Sequence, residues 1–124
     1  MSCPYISISL EKDLLKQQER FNGTYKYFKQ AHGQPSWESM KFNGKSDIYS
    51  NAIWKSPKTS NWLIGRMKDL KKNKGEIRGS VISTRATPDK CTVWSYQKGG
   101  AWTPKTTTRE SGITVTCIKG KKFL

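Results

Sequence analysis

Apolar and polar residues alternate near both ends of this chain. Ile6-Ser7-Ile8-Ser9-Leu10 sets its apolar side chains on one face of an extended strand, and Ile113-Thr114-Val115-Thr116-Cys117 does the same. Between them, aromatic and β-branched residues dominate most of segments 24–29, 37–42, 48–55, 61–65, 76–83 and 92–96, a composition that suits a pleated surface. Turn residues separate these segments: Asn22-Gly23, His32-Gly33-Gln34-Pro35, Asn43-Gly44, Ser56-Pro57, Asn73-Lys74-Gly75, Thr87-Pro88-Asp89 and Lys98-Gly99-Gly100. Turns every 8–12 residues or so mark an all-β sandwich or barrel. The pattern predicts a single compact antiparallel barrel or sandwich of roughly 7–9 short strands.

Two stretches depart from alternation. Residues 10–21 carry Leu10, Leu14, Leu15 and Gln18 at helical spacing, and Asp13 stands where a first-turn acid favours a helix. One short helix near residues 11–20 is expected, with a polar loop as the alternative. In residues 66–74, Met67 and Leu70 fit either one helical face or a charged hairpin arm, and the pattern leaves both open.

With 124 residues and 14.2 kDa, the chain is expected to form one domain over 1–124, ending in a short basic tail at 119–124. Charge narrows the picture most. Twenty-three Lys and Arg against nine Asp and Glu give a formal net charge of +14. Such an excess costs the folded state self-repulsion and attracts polyanions: nucleic acid, sulfated glycan or an anionic membrane surface. No apolar run has the length of a membrane-spanning helix, and no signal peptide is visible; this leaves a cytosolic protein with free thiols or a mature secreted chain, and the secreted chain is the expectation.

The densest basic stretch is Arg66, Lys68, Lys71, Lys72, Lys74 and Arg78, opposed only by Asp69 and Glu76. Lys119, Lys121 and Lys122 form a second cluster. Elsewhere Lys26, Lys29, Lys41, Lys45, Lys55 and Lys58 interleave with Tyr25, Tyr27, Phe28, Phe42 and Trp54. Rows of cations beside aromatics suit phosphate or sulfate contacts with stacked rings. For any single lysine, a solvated strand face is the simpler explanation; for the net excess it is not. Trp54 with Trp62, and Trp94 with Trp102, flank loops as paired strands would. Core packing is expected for most Trp, and Trp102 beside Gly100-Ala101 is the candidate for an exposed stacking surface.

Catalytic signals are sparse. The single histidine, His32, excludes paired-His chemistry; with Glu38 or Glu76 it could serve a small nuclease-type cytotoxin. The cysteines lack metal-ligand spacing, there is no phosphate-cradling glycine motif, and neither metal nor cofactor is expected. Asn22-Gly23-Thr24 is a glycosylation sequon, with Asn22 the candidate acceptor. Of the three cysteines, Cys91 and Cys117 are the expected disulfide, closing a loop of about 27 residues and leaving Cys3 free. A Cys3–Cys117 bond is the alternative, expected if the first and last strands pair.

The order of motifs resembles a small secreted β-domain that recurs in extracellular proteins of marine invertebrates and some protists, mostly without assigned function. The resemblance rests on Cys3, Gly23-Thr24-Tyr25, Gly33-Gln34-Pro35-Ser36-Trp37, Ala52-Ile53-Trp54, Asn61-Trp62-Leu63-Ile64-Gly65, Cys91, Trp94, Ala101-Trp102 and Ile113 to Cys117. It implies an all-β fold and an extracellular location, and no substrate. The chain departs from that family in its His32-Gly33-Gln34-Pro35 turn, where Asn-Gly-Arg-Pro is usual, and in its positive charge. The sequence therefore leads to a secreted cationic binding protein of defence or toxin type that engages polyanions through its Lys and Arg clusters. The alternatives are a nuclease-type cytotoxin on the same basic surface and a lectin built on Trp102.

Overall fold

A computed structural model describes residues 3–11, 14, 18–40, 50–80 and 87–119. The described residues form ten strands: β1 (Tyr5–Leu10), β2 (Gly23–Ala31), β3 (Gln34–Ser39), β4 (Asn51–Lys55), β5 (Trp62–Arg66), β6 (Ile77–Ser80), β7 (Val93–Lys98), β8 (Ala101–Trp102), β9 (Thr106–Thr107) and β10 (Ile113–Ile118). All belong to one antiparallel sheet in the order β10-β1-β2-β3-β4-β5-β6-β7-β8, with β9 also on β7. The protein is all-β, as the alternation predicts. Two strands of two residues each, β8 and β9, raise the count above the expected range.

The sheet curls, because side chains from strands far apart in this order meet in one core. Ile6, Ile8, Tyr25, Trp37, Ile53, Trp62, Ile64, Ile77, Trp94 and Ile113 share a single buried cluster on the inner face. A second, smaller cluster lies on the outer face: Ala31, Ala52, Trp54, Leu63 and Leu70. β4 is consequently buried along its whole length, on both faces. Turn chemistry explains the β2–β3 hairpin. His32 (φ 53°) and Gly33 (φ 77°) supply the two left-handed residues of its tight turn.

Of the segment expected to be helical, Leu14 and Gln18 are helical and buried, whereas 12–13 and 15–17 lie outside the described residues. Residues Glu19–Phe21 form a single 3-10 turn, and Phe21 enters the core. In the other ambiguous stretch, Met67–Asp69 is a short 3-10 helix that sets Met67 and Leu70 on one face, against the outer cluster, so the helical alternative holds over one turn and the hairpin arm does not.

The disulfide is Cys3–Cys117, with Cα atoms 5.4 Å apart, which corrects the expected Cys91–Cys117 bond and the expected free Cys3. The reason is strand order. β10 pairs with β1, Ile6 opposite Cys117, so the two ends of the chain meet along the sheet. Cys91 is instead buried and free. It sits over Gly79: a Cβ added there would lie 2.8 Å from Cys91 Sγ and 2.7 Å from Trp94 Cζ3. Glycine at this position leaves the space that the sulfur and the indole fill.

Burial pushes the Cys91 thiol up to about 12, with the Asp89 carboxylate acting in the same direction and Lys55 against it. Only the thiolate is nucleophilic, so native Cys91 should resist alkylation at neutral pH. In protein purified without reductant, no thiol should react before denaturation, one afterwards, and all three only after reduction. Two or more reacting before reduction would exclude the bond. Because the folded thiol titrates above the unfolded one, its stabilising effect is constant below the unfolded pKa. It is lost as pH rises from about 8.5 towards the folded value of about 12.

Candidate polyanion-binding surface

The basic stretch that stands out in the sequence folds back as a flap over the outer face of β4 and β5. Beyond β5 the chain makes the 3-10 turn Met67–Asp69, then Leu70 plugs into the outer cluster with Met67 packed beside it. This apolar floor fixes the orientation of the rest. With Met67 and Leu70 turned down, Lys68, Lys71, Lys72 and Lys74 are all exposed.

Hydrogen bonds anchor the flap from several elements. Trp54 Nε1 donates to Asn73 Oδ1 at 2.9 Å, and Asn73 Nδ2 donates to Ser56 Oγ at 3.0 Å. Asn73 adopts φ 58°, a left-handed conformation that asparagine tolerates better than most residues. Met67 N donates to Ser50 O, and Lys74 N donates to Asp69 O. The returning chain at Lys74 and Gly75 passes close above the sheet. A Cβ on Gly75 would lie 2.8 Å from Leu63 Cβ, and one on Gly65 would lie 3.1 Å from Gly75 Cα. Only glycines allow this approach.

His32, a catalytic candidate from the sequence, belongs to this anchoring. Its Nε2 donates to Leu70 O at 2.8 Å, tying the β2–β3 turn to the flap. Glu76 forms an ion pair with Arg66 at 3.7 Å, both side chains partly exposed. Glu38 lies on β3 opposite Lys26 of β2. Along β3, Gln34 and Glu38 are four residues apart, roughly 13 Å, so Glu38 stands well away from the His32 turn. The structure does not bring the three candidates together. Among the described residues, no group of three or more His, Cys, Asp or Glu is placed to hold a metal ion.

The remaining candidates fall in distinct places. Arg78 lies on β6 opposite Leu63 of β5, and its guanidinium stacks on the Trp102 ring at 4.2 Å. Trp37, Trp54, Trp62 and Trp94 are buried, leaving Trp102 as the partly exposed tryptophan, with one face already taken by Arg78. Lys119 is exposed at the end of β10, away from the flap, and Lys121 and Lys122 lie outside the described residues, as do Lys41, Phe42 and Lys45. Lys55, which reads in sequence as one more surface cation, is 5% exposed and sits opposite Trp62 with Nζ 5.8 Å from its ring. Asn22 is exposed, and its Oδ1 accepts from Leu10 N at 2.9 Å, which leaves the amide nitrogen clear.

A groove of about 460 Å³ lies at the flap's far end, lined by Asp69, Lys74, Glu76, Gln97 and Lys98 among others. Its two carboxylates, Asp69 and Glu76, offset its two amines, Lys74 and Lys98, so the groove is not strongly basic. Of the aromatics that interleave with lysines in the sequence, Tyr25 and Trp54 are buried, and two are exposed. Tyr27 and Phe28 are exposed by 36% and 38%, beside exposed Lys26 and Lys29. The signal for them was the run Lys26-Tyr27-Phe28-Lys29, two consecutive aromatics where a half-buried strand should alternate.

No protein-family model, no curated protein and no solved structure matches this chain.

Proposed function

We propose that this protein is a cationic binding protein that engages polyanions through the flap, acting outside the cell in a defence or toxin role. The supporting observation is the flap itself. Its apolar residues and hydrogen bonds anchor the loop so that Lys68, Lys71, Lys72 and Lys74 all face outward, which concentrates their charge on one surface. A backbone already anchored loses little conformational entropy on binding, and each phosphate or sulfate its lysines neutralise releases counterions. The disulfide supports an oxidising compartment. The resemblance to secreted β-domains points the same way.

Replacing Lys71, Lys72 and Lys74 together with Gln tests the assignment. These side chains are exposed, so the fold should be unaffected. Elution from immobilised heparin should move to lower salt. The slope of log affinity against log salt should fall by about two to three, near 0.7–0.9 per lost contact. Unchanged elution, with retention lost only when residues 119–124 are removed, would move the contact to the C-terminal cluster.

A further inference from the structure

The pairing of β2 with β3 contains an irregularity. Tyr27 lies opposite Trp37 and Gln30 opposite Pro35, so Phe28 and Lys29 together face the single residue Ser36. This is a one-residue β-bulge, and it resets which side chains point outward. Before it, Tyr25 is in the inner core and Tyr27 packs edge-on against core Trp37, ring centroids 6.4 Å apart. After it, Ala31 is in the outer cluster beneath the flap. At the bulge, Phe28 and Lys29 are both exposed and in contact, Lys29 Nζ lying 4.9 Å from the Phe28 ring centroid.

Phe28 therefore stands on the same face as the flap, three residues from Ala31, or about 10 Å along the strand. Beyond the flap, one strand further on, Arg78 carries the Trp102 ring. From β2 to β6 is four strand spacings, roughly 19 Å along the curved sheet. Across that width the surface runs aromatic with cation, lysine flap, cation with aromatic. Among the described residues, Arg78 has no carboxylate partner.

We propose that the polyanion is a single-stranded nucleic acid, whose bases stack on Phe28 while its phosphates lie along the flap lysines. The proposal rests on the polyanion reading above and adds the partner's class. Single strands are held by cations that track the backbone and by aromatic rings that cover unstacked bases. A duplex hides its base faces within the stack. A heavily sulfated sugar carries charge on the ring itself and offers no neutral π face. A bilayer would need an apolar tip, but the hairpin ends in His32 and Gly33, and Phe28 lies on the strand body between lysines.

Binding to a labelled short oligothymidylate, to an abasic oligomer of equal length, to heparin and to phosphatidylserine vesicles tests this. Phe28→Ala should weaken oligothymidylate binding about tenfold and leave the abasic oligomer and heparin unchanged. Phe28→Tyr should retain binding. Phe28→Leu keeps apolar bulk without a ring, so it should behave as Phe28→Ala even if the alanine variant is less stable. The triple lysine variant should weaken all the anionic polymers. Equal affinity for oligothymidylate and abasic oligomer, or no effect of Phe28→Ala and Phe28→Leu, would overturn the proposal while flap-dependent heparin binding left the polyanion reading intact. Vesicle binding that depends on Phe28 without oligonucleotide binding would overturn it in favour of a membrane. Failure to bind any anionic polymer would remove the polyanion reading itself.

Discussion

Cys3→Ser is expected to destabilise the protein by roughly 3–5 kcal/mol, because the bond it removes closes nearly the whole chain. Cys3 and Cys117 are 114 residues apart in sequence. In the chain-entropy model a loop of that length constrains the unfolded state by about 5 kcal/mol. Two native features add to the cost. Cys3 is 2% exposed, and its carbonyl accepts the Trp37 indole N–H at 2.8 Å, so loosening the N-terminus disturbs a buried tryptophan. Among the described residues β10 lies at the edge of the sheet path with β1 as its one strand neighbour, so the bond also staples a strand paired on one side. Urea unfolding should show the midpoint of Cys3→Ser matching that of reduced wild type. A loss below about 1 kcal/mol would mean that the β1–β10 pairing closes the sheet without the bond, far short of the chain-entropy expectation.

The strands were legible because they depend on period-two alternation, a local property that Ile6 to Leu10 and Ile113 to Cys117 display plainly. The turns were legible for a similar reason, since His32-Gly33 and Lys98-Gly99-Gly100 supply left-handed residues where hairpins need them. Cysteine pairing was not. It depends on which strands become neighbours, and the order placing β10 beside β1 is set by contacts between residues more than a hundred positions apart. A short loop from Cys91 to Cys117 looked favourable along the chain. Cys91, however, packs over Gly79 beside Trp94, a contact that no local pattern reveals.

The candidate surface was half legible. Net charge and the run of lysines located the flap, but not how it is anchored. That follows from Met67, Leu70 and Asn73, two apolar residues and an amide within a polar stretch, each meeting a partner on another element. Lys55 shows the converse. Its neighbours in sequence suggest a surface cation, yet β4 is buried on both faces, so a lysine opposite Trp62 is carried inside. The bulge at Phe28 needs the register of two strands together, and neither strand alone encodes it.

Trp54→Ala should test how strongly the flap depends on its floor. Trp54 is fully buried at the centre of the outer cluster, in contact range of Gly65, and its indole N–H holds Asn73. Truncation removes the ring that Leu63, Leu70 and Ala52 pack against and leaves a cavity, a change that costs about 3–5 kcal/mol in comparable cores. Trp54→Phe separates packing from anchoring. It keeps most of the floor and removes the bond to Asn73, for an expected loss of about 1 kcal/mol plus a smaller packing defect. The two variants should also differ in heparin retention, measured at a temperature where both remain folded. Without its floor the backbone that carries Lys71, Lys72 and Lys74 is no longer held, and ordering it on binding would cost about 1–2 kcal/mol per residue. Trp54→Ala should therefore elute at clearly lower salt than wild type although no charge has been removed, with Trp54→Phe between them. Equal retention for all three would mean that net charge alone drives binding and that the flap's geometry plays no part in it.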